Sequence, residues 1–316
     1  MLNNYGYACI NMQLSYPDIY SKSEFKKIST NRTMVKKTFF DKGIQYASEL
    51  SLKNCRDLES VIHWNKNNGF NFFRVTSNLF PWCSEYDLQE LPDYELIRKK
   101  IEEIGDFINK NNMRITSHPG PFNVLTSPKR DVVENCIKDL SIHGELFDLM
   151  KLSRTPFNKI NIHIGGVYGD KKSALDRFCS NFNQLPNNVK SRLTVENDDK
   201  ATMYSVKDLY EGIYRKIGIP IVFDYHHHRF CNGGLSEKEA LDLAVSTWGE
   251  IRPVVHYSES RNIEKKDDSI KPQSHSDYVY DYIDTYGHHL DVMIEAKHKE
   301  LAVLKYLDIH KNRIDV

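Results

Sequence analysis

No stretch of the chain approaches 18 consecutive apolar residues, and mean hydropathy is −0.56, so a helical membrane span is excluded. Charge of one sign is also lacking. Lys plus Arg number 43 and Asp plus Glu 43, for a net charge of zero. That excludes a globally basic nucleic-acid coater but is compatible with a local basic groove. Six cysteines, at Cys9, Cys55, Cys83, Cys136, Cys179 and Cys231, form no Cys-x-x-Cys pair, which argues against a zinc ribbon, a redox motif or a disulfide frame. The first residues have neither the basic region nor the apolar region of a signal peptide. Reduced thiols and an intracellular location are therefore expected.

What the chain has is length, alternation and histidine. At 316 residues it can bury roughly three quarters of its unfolded surface, so folding needs no metal staple. Eight short runs rich in β-branched and aromatic residues read as strands: Tyr7 to Ile10, Phe70 to Val75, Arg114 to Ser117, Lys159 to Ile164, Arg192 to Val195, Ile219 to Phe223, Pro253 to His256 and Asp291 to Glu295. Helical patterns separate them. One face of 52–67 carries Leu52, Cys55, Leu58 and Ile62, that of 95–110 Ile97, Ile101, Ile104 and Ile108, and that of 131–150 Val133, Cys136, Ile137 and Leu140. Ser205-x-x-Asp208 and Ser236-x-x-Glu239 read as helix-capping signals. Eight β units alternating with helices favour a single-domain α/β fold, the (β/α)₈ TIM barrel, over a doubly wound sheet. The weakest patterns lie at 12–50 and 257–276. The second is polar and charged, as suits an exposed loop over an active-site face or a solvated insertion.

The polar residues fall at one end of these strands. The third ends at His118, the fourth at His163, the fifth at Glu196, the sixth at Asp224 with His226, His227 and His228 beyond, the seventh at His256 and the eighth at Glu295. In a barrel those carboxyl ends converge on the rim that carries active sites. Any one strand-end His is more often structural than a ligand, but six successive strands make six separate accidents hard to sustain. Imidazole and carboxylate without thiolate suit Mn²⁺, Zn²⁺ or Fe²⁺. The donors exceed the needs of one ion, so a cluster of two or three is expected. Divalent ions about 3.5–4 Å apart can generate a hydroxide, hold a phosphodiester and stabilise a leaving oxygen. His63, His143, His298 and His310 read as surface or packing residues, and His288 and His289 lie at the wrong end of a strand.

The segments Gly6-Tyr7-Ala8-Cys9-Ile10-Asn11, Asn31-Arg32-Thr33, Ser117-His118-Pro119-Gly120, His163-Ile164-Gly165-Gly166, Glu196-Asn197-Asp198, Val222-Phe223-Asp224 through His228, His256-Tyr257-Ser258 and Met293-Ile294-Glu295-Ala296-Lys297 together resemble the UV-damage endonuclease family. The resemblance implies a TIM barrel whose divalent cluster, usually manganese, nicks DNA immediately 5′ of a lesion and leaves a 3′-hydroxyl. It implies ligands at His118, His163, Glu196, Asp224, His227, His256, His275 and Glu295, with catalytic roles for Glu196, His256 and Glu295. His275 rests on the resemblance alone, and His228 is an outer alternative. The implied partner is damaged double-stranded DNA, with Tyr7 and Asn11 at positions near the lesion; Phe122 is a candidate wedge, and charge makes Arg32, Arg229 and Lys297 candidates for the phosphates. Arg261, Lys265, Lys266 and Lys299 are further cationic candidates. A monomer is expected, since a barrel of this size completes its own core.

Three positions depart from the family pattern. Pro121-Phe122 stands where the family has Gln and an aromatic, which leaves a wedge but removes the amide's hydrogen bonds. Val254 stands where a Lys precedes the seventh-strand His, and Ser84-Glu85 where relatives have a His. These changes keep two rivals in view: an abasic-site endonuclease of the endonuclease IV type, and a metal-dependent sugar isomerase of the xylose-isomerase type. A DNA-damage binder with a decayed site is a third, disfavoured by retention of the ligand set.

Overall fold

The computed structural model describes residues 3–20 and 27–314. Eight parallel strands close in chain order into a barrel: β1 Asn4–Ala8, β2 Phe72–Val75, β3 Arg114–Ser117, β4 Ile160–His163, β5 Leu193–Glu196, β6 Ile221–Asp224, β7 Val254–Tyr257 and β8 Asp291–Ile294. β1 returns to pair with β8, so no edge is left open. The expected TIM barrel is the observed fold.

Alternation along each strand divides two cores. Outward residues such as Ile115, Ile160, Ile162, Val195 and Val255 pack under the helices. Ala8, Phe72, Val222, Val254 and Met293, with Trp248, form a separate apolar cluster. Beside it the buried Arg114 guanidinium lies over the Phe72 and Trp248 rings and donates to Asp291 at 2.8 Å. The amino-terminal end of the barrel is thus filled and rigid.

The helices form where the patterns indicated. Tyr94–Lys110 buries Ile97, Ile101, Ile104 and Ile108. Its Gly105 allows close approach, since a Cβ there would meet the Met150 backbone. Both expected capping boxes are present, at Ser205 with Asp208 and at Ser236 with Glu239.

Two expectations are corrected. β1 starts three residues earlier than Tyr7, because Asn4 to Gly6 pair with Asp291 to Met293, and it stops where Cys9 turns left-handed at φ 73°. The weakly patterned 12–50 stretch contains the start of a long helix, Lys36–Asn67, broken at Gly43. Most of its first turns are exposed, so they show no apolar periodicity.

Candidate metal centre

The carboxyl ends of β3 to β8 bring seven of the eight expected ligands together. Three groups form, each with donor atoms within 4.8 Å of one another: His118, His163 and Glu196; Glu196, Asp224 and His227; Asp224, His256 and Glu295. Glu196 joins the first two groups and Asp224 the last two. His275 belongs to none of the three; its ring lies 5.7 Å from that of His226 and 6.3 Å from that of His227, held by a bridge to Ser260.

Glu196 is the hub. Its Oε2 lies 3.1 Å from both His118 Nε2 and His256 Nδ1, and its Oε1 3.4 Å from His227 Nδ1. Burial alone would push this carboxyl up, but His256, His163 and His118 more than offset that and hold it well below the usual carboxylate range. Asp224 takes the opposite course. Burial, with Glu196 and Glu295 nearby, pushes it up to about 7 despite His227. Partial burial lowers His163, but Glu196, Asp198 and Asp224 push it up to about 9, whereas full burial brings His256 down to about 4.

The donor chemistry fits divalent cations. His256 Nδ1 lies within 3.2 Å of Glu196 and Glu295 oxygens yet forms no hydrogen bond, and Asp224 Oδ2 is buried without a partner. Such crowding of lone pairs is costly unless a cation sits among them. The residues could hold a cluster.

A second layer of polar residues supports this rim. Arg74 on β2 pairs with Glu295, and Asn161 on β4 donates to Glu196 while accepting from Thr194 Oγ1 at 2.8 Å. His163 Nδ1 faces Asp198 at 3.0 Å. Lys159 crosses the barrel interior to place Nζ 3.2 Å from His256 Nε2. Sequence reading gives no role to Arg74, Lys159, Asn161 or Thr194, although Lys159 and Asn161 alternate with Ile160 and Ile162 on the strand face that ends at His163.

A family model described as UV-endonuclease UvdE matches residues 3–315. The chain belongs to this family. A UV-damage endonuclease of Schizosaccharomyces pombe is 37% identical over 315 residues, covering 95% of this chain and 49% of that protein. The chain thus spans about half the length of that relative. A UV DNA damage endonuclease of Clostridium perfringens is 34% identical over 287 residues, covering 88% of this chain and 66% of the other. Among solved structures, SacUVDE superposes with a TM-score of 0.82 at 31% identity, covering 98% of both chains. D-psicose 3-epimerase from Clostridium cellulolyticum H10, at 14% identity, TM-score 0.51 and coverage of 76% and 79%, shares the barrel fold alone.

The UvdE-family residues expected to meet DNA divide sharply. Phe122 is 68% exposed, and Arg229 and Lys297 are exposed with no ion-pair partner among the described residues. Tyr7 and Asn11 are fully buried, which corrects the expectation of direct contact. The Tyr7 ring packs edge-on against Phe70 and Phe73, its hydroxyl donates to Asn65, and Asn11 donates to it at 2.9 Å. These two residues position the β1 end of the rim. Arg32 is tied to Asp57 at 2.6 Å and Lys265 to Asp277 at 2.7 Å, so both cations are neutralised within the chain. Glu85 is exposed and joins no ligand group. Val254 is buried in the inner apolar cluster, and the amine beside His256 comes from Lys159 on β4 instead. His143, read as surface or packing, is buried with Nδ1 unpartnered and Nε2 4.0 Å from Asp139.

Proposed function

We propose that this protein is a divalent-metal-dependent endonuclease that nicks damaged double-stranded DNA immediately 5′ of UV photoproducts and leaves a 3′-hydroxyl. The single observation carrying this reading is the set of three His and carboxylate groups at one rim, joined through Glu196 and Asp224. Membership of the UvdE family supports the substrate class. The ions would be held by His118, His163, Glu196, Asp224, His227, His256 and Glu295, with His275 closing the loop side; Mn²⁺ is the first choice, ahead of Zn²⁺ and Fe²⁺. When bound, such ions supply Lewis acidity at phosphoryl oxygens and acidify water.

The chain's own part is to fix charges and keep the site rigid. Glu196 orients His118, His227 and His256 around itself, and Asn161 fixes the Glu196 carboxylate in turn. Arg74 holds Glu295 ionised and aimed beside His256. Hydrolysis adds water across the P–O3′ bond: the attacking oxygen stays with the 5′-phosphate, and the departing 3′-oxygen gains a proton. Phe122 supplies the apolar wedge at a base step, which costs least where a lesion has already weakened stacking. Arg229 and Lys297 offer free cations to the backbone phosphates.

The test is a nicking assay on three matched duplexes, carrying one photoproduct, one abasic site or no damage, with Mn²⁺ and with EDTA. Metal-dependent incision 5′ of the photoproduct is expected, and Glu196→Gln should abolish it while the protein stays folded. Full activity in that variant overturns the site assignment. Cleavage at the abasic site alone moves the substrate to the rival that Pro121, with no side-chain amide, keeps in view.

A further inference from the structure

Two ligand histidines on neighbouring strands are each followed by the same local device. After His118, Gly120 lies under the ring of Phe122: a Cβ on Gly120 would meet Phe122 Cε1 at 2.5 Å. After His163, Gly166 lies under the ring of Tyr168, where a Cβ would meet Cε2 at 3.1 Å. In both loops an aromatic two residues beyond a glycine folds back over it and leaves much of its ring in solvent, 68% of Phe122 and 49% of Tyr168. The His118 and His163 rings between these loops are 5.4 Å apart.

The Tyr168 loop is built to hold that ring in place. Tyr168 takes φ +49°, a left-handed conformation that bulky side chains rarely adopt, beside Gly165 at φ +100° and Gly169 at φ +82°. An aromatic in this conformation, where glycine would relieve the backbone, carries a strain that use of the ring itself would account for. The Arg177 guanidinium lies 5.6 Å from the ring centroid, and its Nε donates to the Thr126 carbonyl at 2.8 Å in the Phe122 loop. Thr126 Oγ1 donates to the Ile164 carbonyl at 3.3 Å, and Tyr204 donates its hydroxyl to the Gly166 carbonyl at 3.3 Å. The two loops therefore form one braced ledge beside the His118 and His163 end of the metal centre.

We infer that Tyr168 is a nucleobase-stacking residue, a second aromatic platform that positions the DNA strand beside His163 as Phe122 does beside His118. A base is the occupant this geometry favours. The ring is flat, half-solvated and backed by a cation, it stands five residues from a ligand of the phosphate-cleaving site, and stacking accepts any base. The inference deepens the nuclease reading and rests on it for the identity of the strand. Tyr168 acts by positioning, since it contributes no donor to the three ligand groups.

The experiment compares wild type, Tyr168→Ala, Tyr168→Phe and Tyr168→Trp, using a damaged duplex with 2-aminopurine at successive positions around the lesion. Binding and fluorescence are read in Ca²⁺, and nicking is read in Mn²⁺. Tyr168→Ala should raise Kd and KM about tenfold, within the range expected for loss of one stacked base. It should change kcat less than about threefold and abolish 2-aminopurine quenching at one position. Tyr168→Phe and Tyr168→Trp should keep both affinity and quenching. Equal affinity and quenching in wild type and Tyr168→Ala overturn the inference while leaving the nuclease reading intact. So does a Tyr168→Phe variant as weak as Tyr168→Ala, because the hydroxyl would then be the working group. A wild type that binds and quenches but cuts no duplex overturns the nuclease reading and leaves the stacking residue standing. One that binds no DNA overturns both.

Discussion

Lys159 Nζ on β4 lies 3.2 Å from His256 Nε2 on β7, with both residues fully buried inside the barrel. Burial brings the lysine down to about 7, with Arg74 and Arg114 adding to the fall and Glu196 opposing it. A neutral amine can accept a hydrogen bond from Nε2–H, which leaves His256 Nδ1 bare toward Glu196 and Glu295. Outer partners of this kind fix the tautomer of a metal-binding imidazole. Lys159→Met should therefore weaken Mn²⁺ binding about 10- to 100-fold while the barrel stays folded. Metal titration followed by calorimetry, with a thermal melt as control, checks this. Unchanged affinity would show that the contact is only packing.

Acid should unload the site. Below about pH 7 Asp224 takes up a proton and Lys159 becomes charged, and both changes oppose a cation. Mn²⁺ affinity is expected to fall as pH drops from 7.5 to 6, and Asp224→Asn should flatten part of that slope. The metal-free chain gives an independent sign. The folded Asp224 carboxyl keeps its proton up to about 7, whereas the unfolded chain loses it near about 4. Folding therefore binds a proton in that window, and stability contributed at Asp224 is lost as pH rises from about 4 to about 7. Melting of EDTA-treated wild type against Asp224→Asn across this range measures it. A difference that grows in favour of wild type with rising pH would contradict the assignment.

The barrel and its rim were legible because both depend on short-range pattern. His118, His163, Glu196, Asp224, His256 and Glu295 stand at strand ends that any one-dimensional reading can mark. The layer beneath was harder to see. Arg74 reaches Glu295 from β2 and Lys159 reaches His256 from β4, partnerships spanning 221 and 97 residues that only barrel closure creates. The burial of Tyr7 is hidden from sequence for a related reason. Strand parity turns its side chain toward Phe70, Phe73 and Asn65, away from the solvent at the rim. Conversely, Arg32 and Lys265 looked free in sequence, and only the fold supplies Asp57 and Asp277 to neutralise them.

That distinction predicts which cations set the salt dependence of DNA binding. Each duplex phosphate neutralised contributes about −0.9 to the slope of log K against log salt. Arg229→Gln and Lys297→Gln should each reduce the slope by about one, across damaged and undamaged duplexes alike. Lys265→Gln should leave it unchanged, since that ammonium is already held by Asp277 at 2.7 Å. Fluorescence anisotropy at several salt concentrations reads all three. A slope unaffected by Arg229→Gln and Lys297→Gln would place the DNA on another face.

Phe122 carries the last prediction. Phe122 is 68% exposed, with its ring braced over Gly120, and Pro121 beside it offers no side-chain hydrogen bond to a base. Lesion discrimination at this loop should then depend on apolar insertion alone. Phe122→Ala is expected to lower the ratio of nicking on photoproduct duplex to undamaged duplex about tenfold, the scale of losing one stacked or wedged contact. Phe122→Leu separates the two modes: a wedge survives the change, whereas stacking requires the ring. Pro121→Gln should raise the ratio if an amide at this position adds hydrogen bonds to a distorted pair. Single-turnover nicking on the matched duplexes measures each variant. A ratio untouched by Phe122→Ala would move lesion sensing away from this loop.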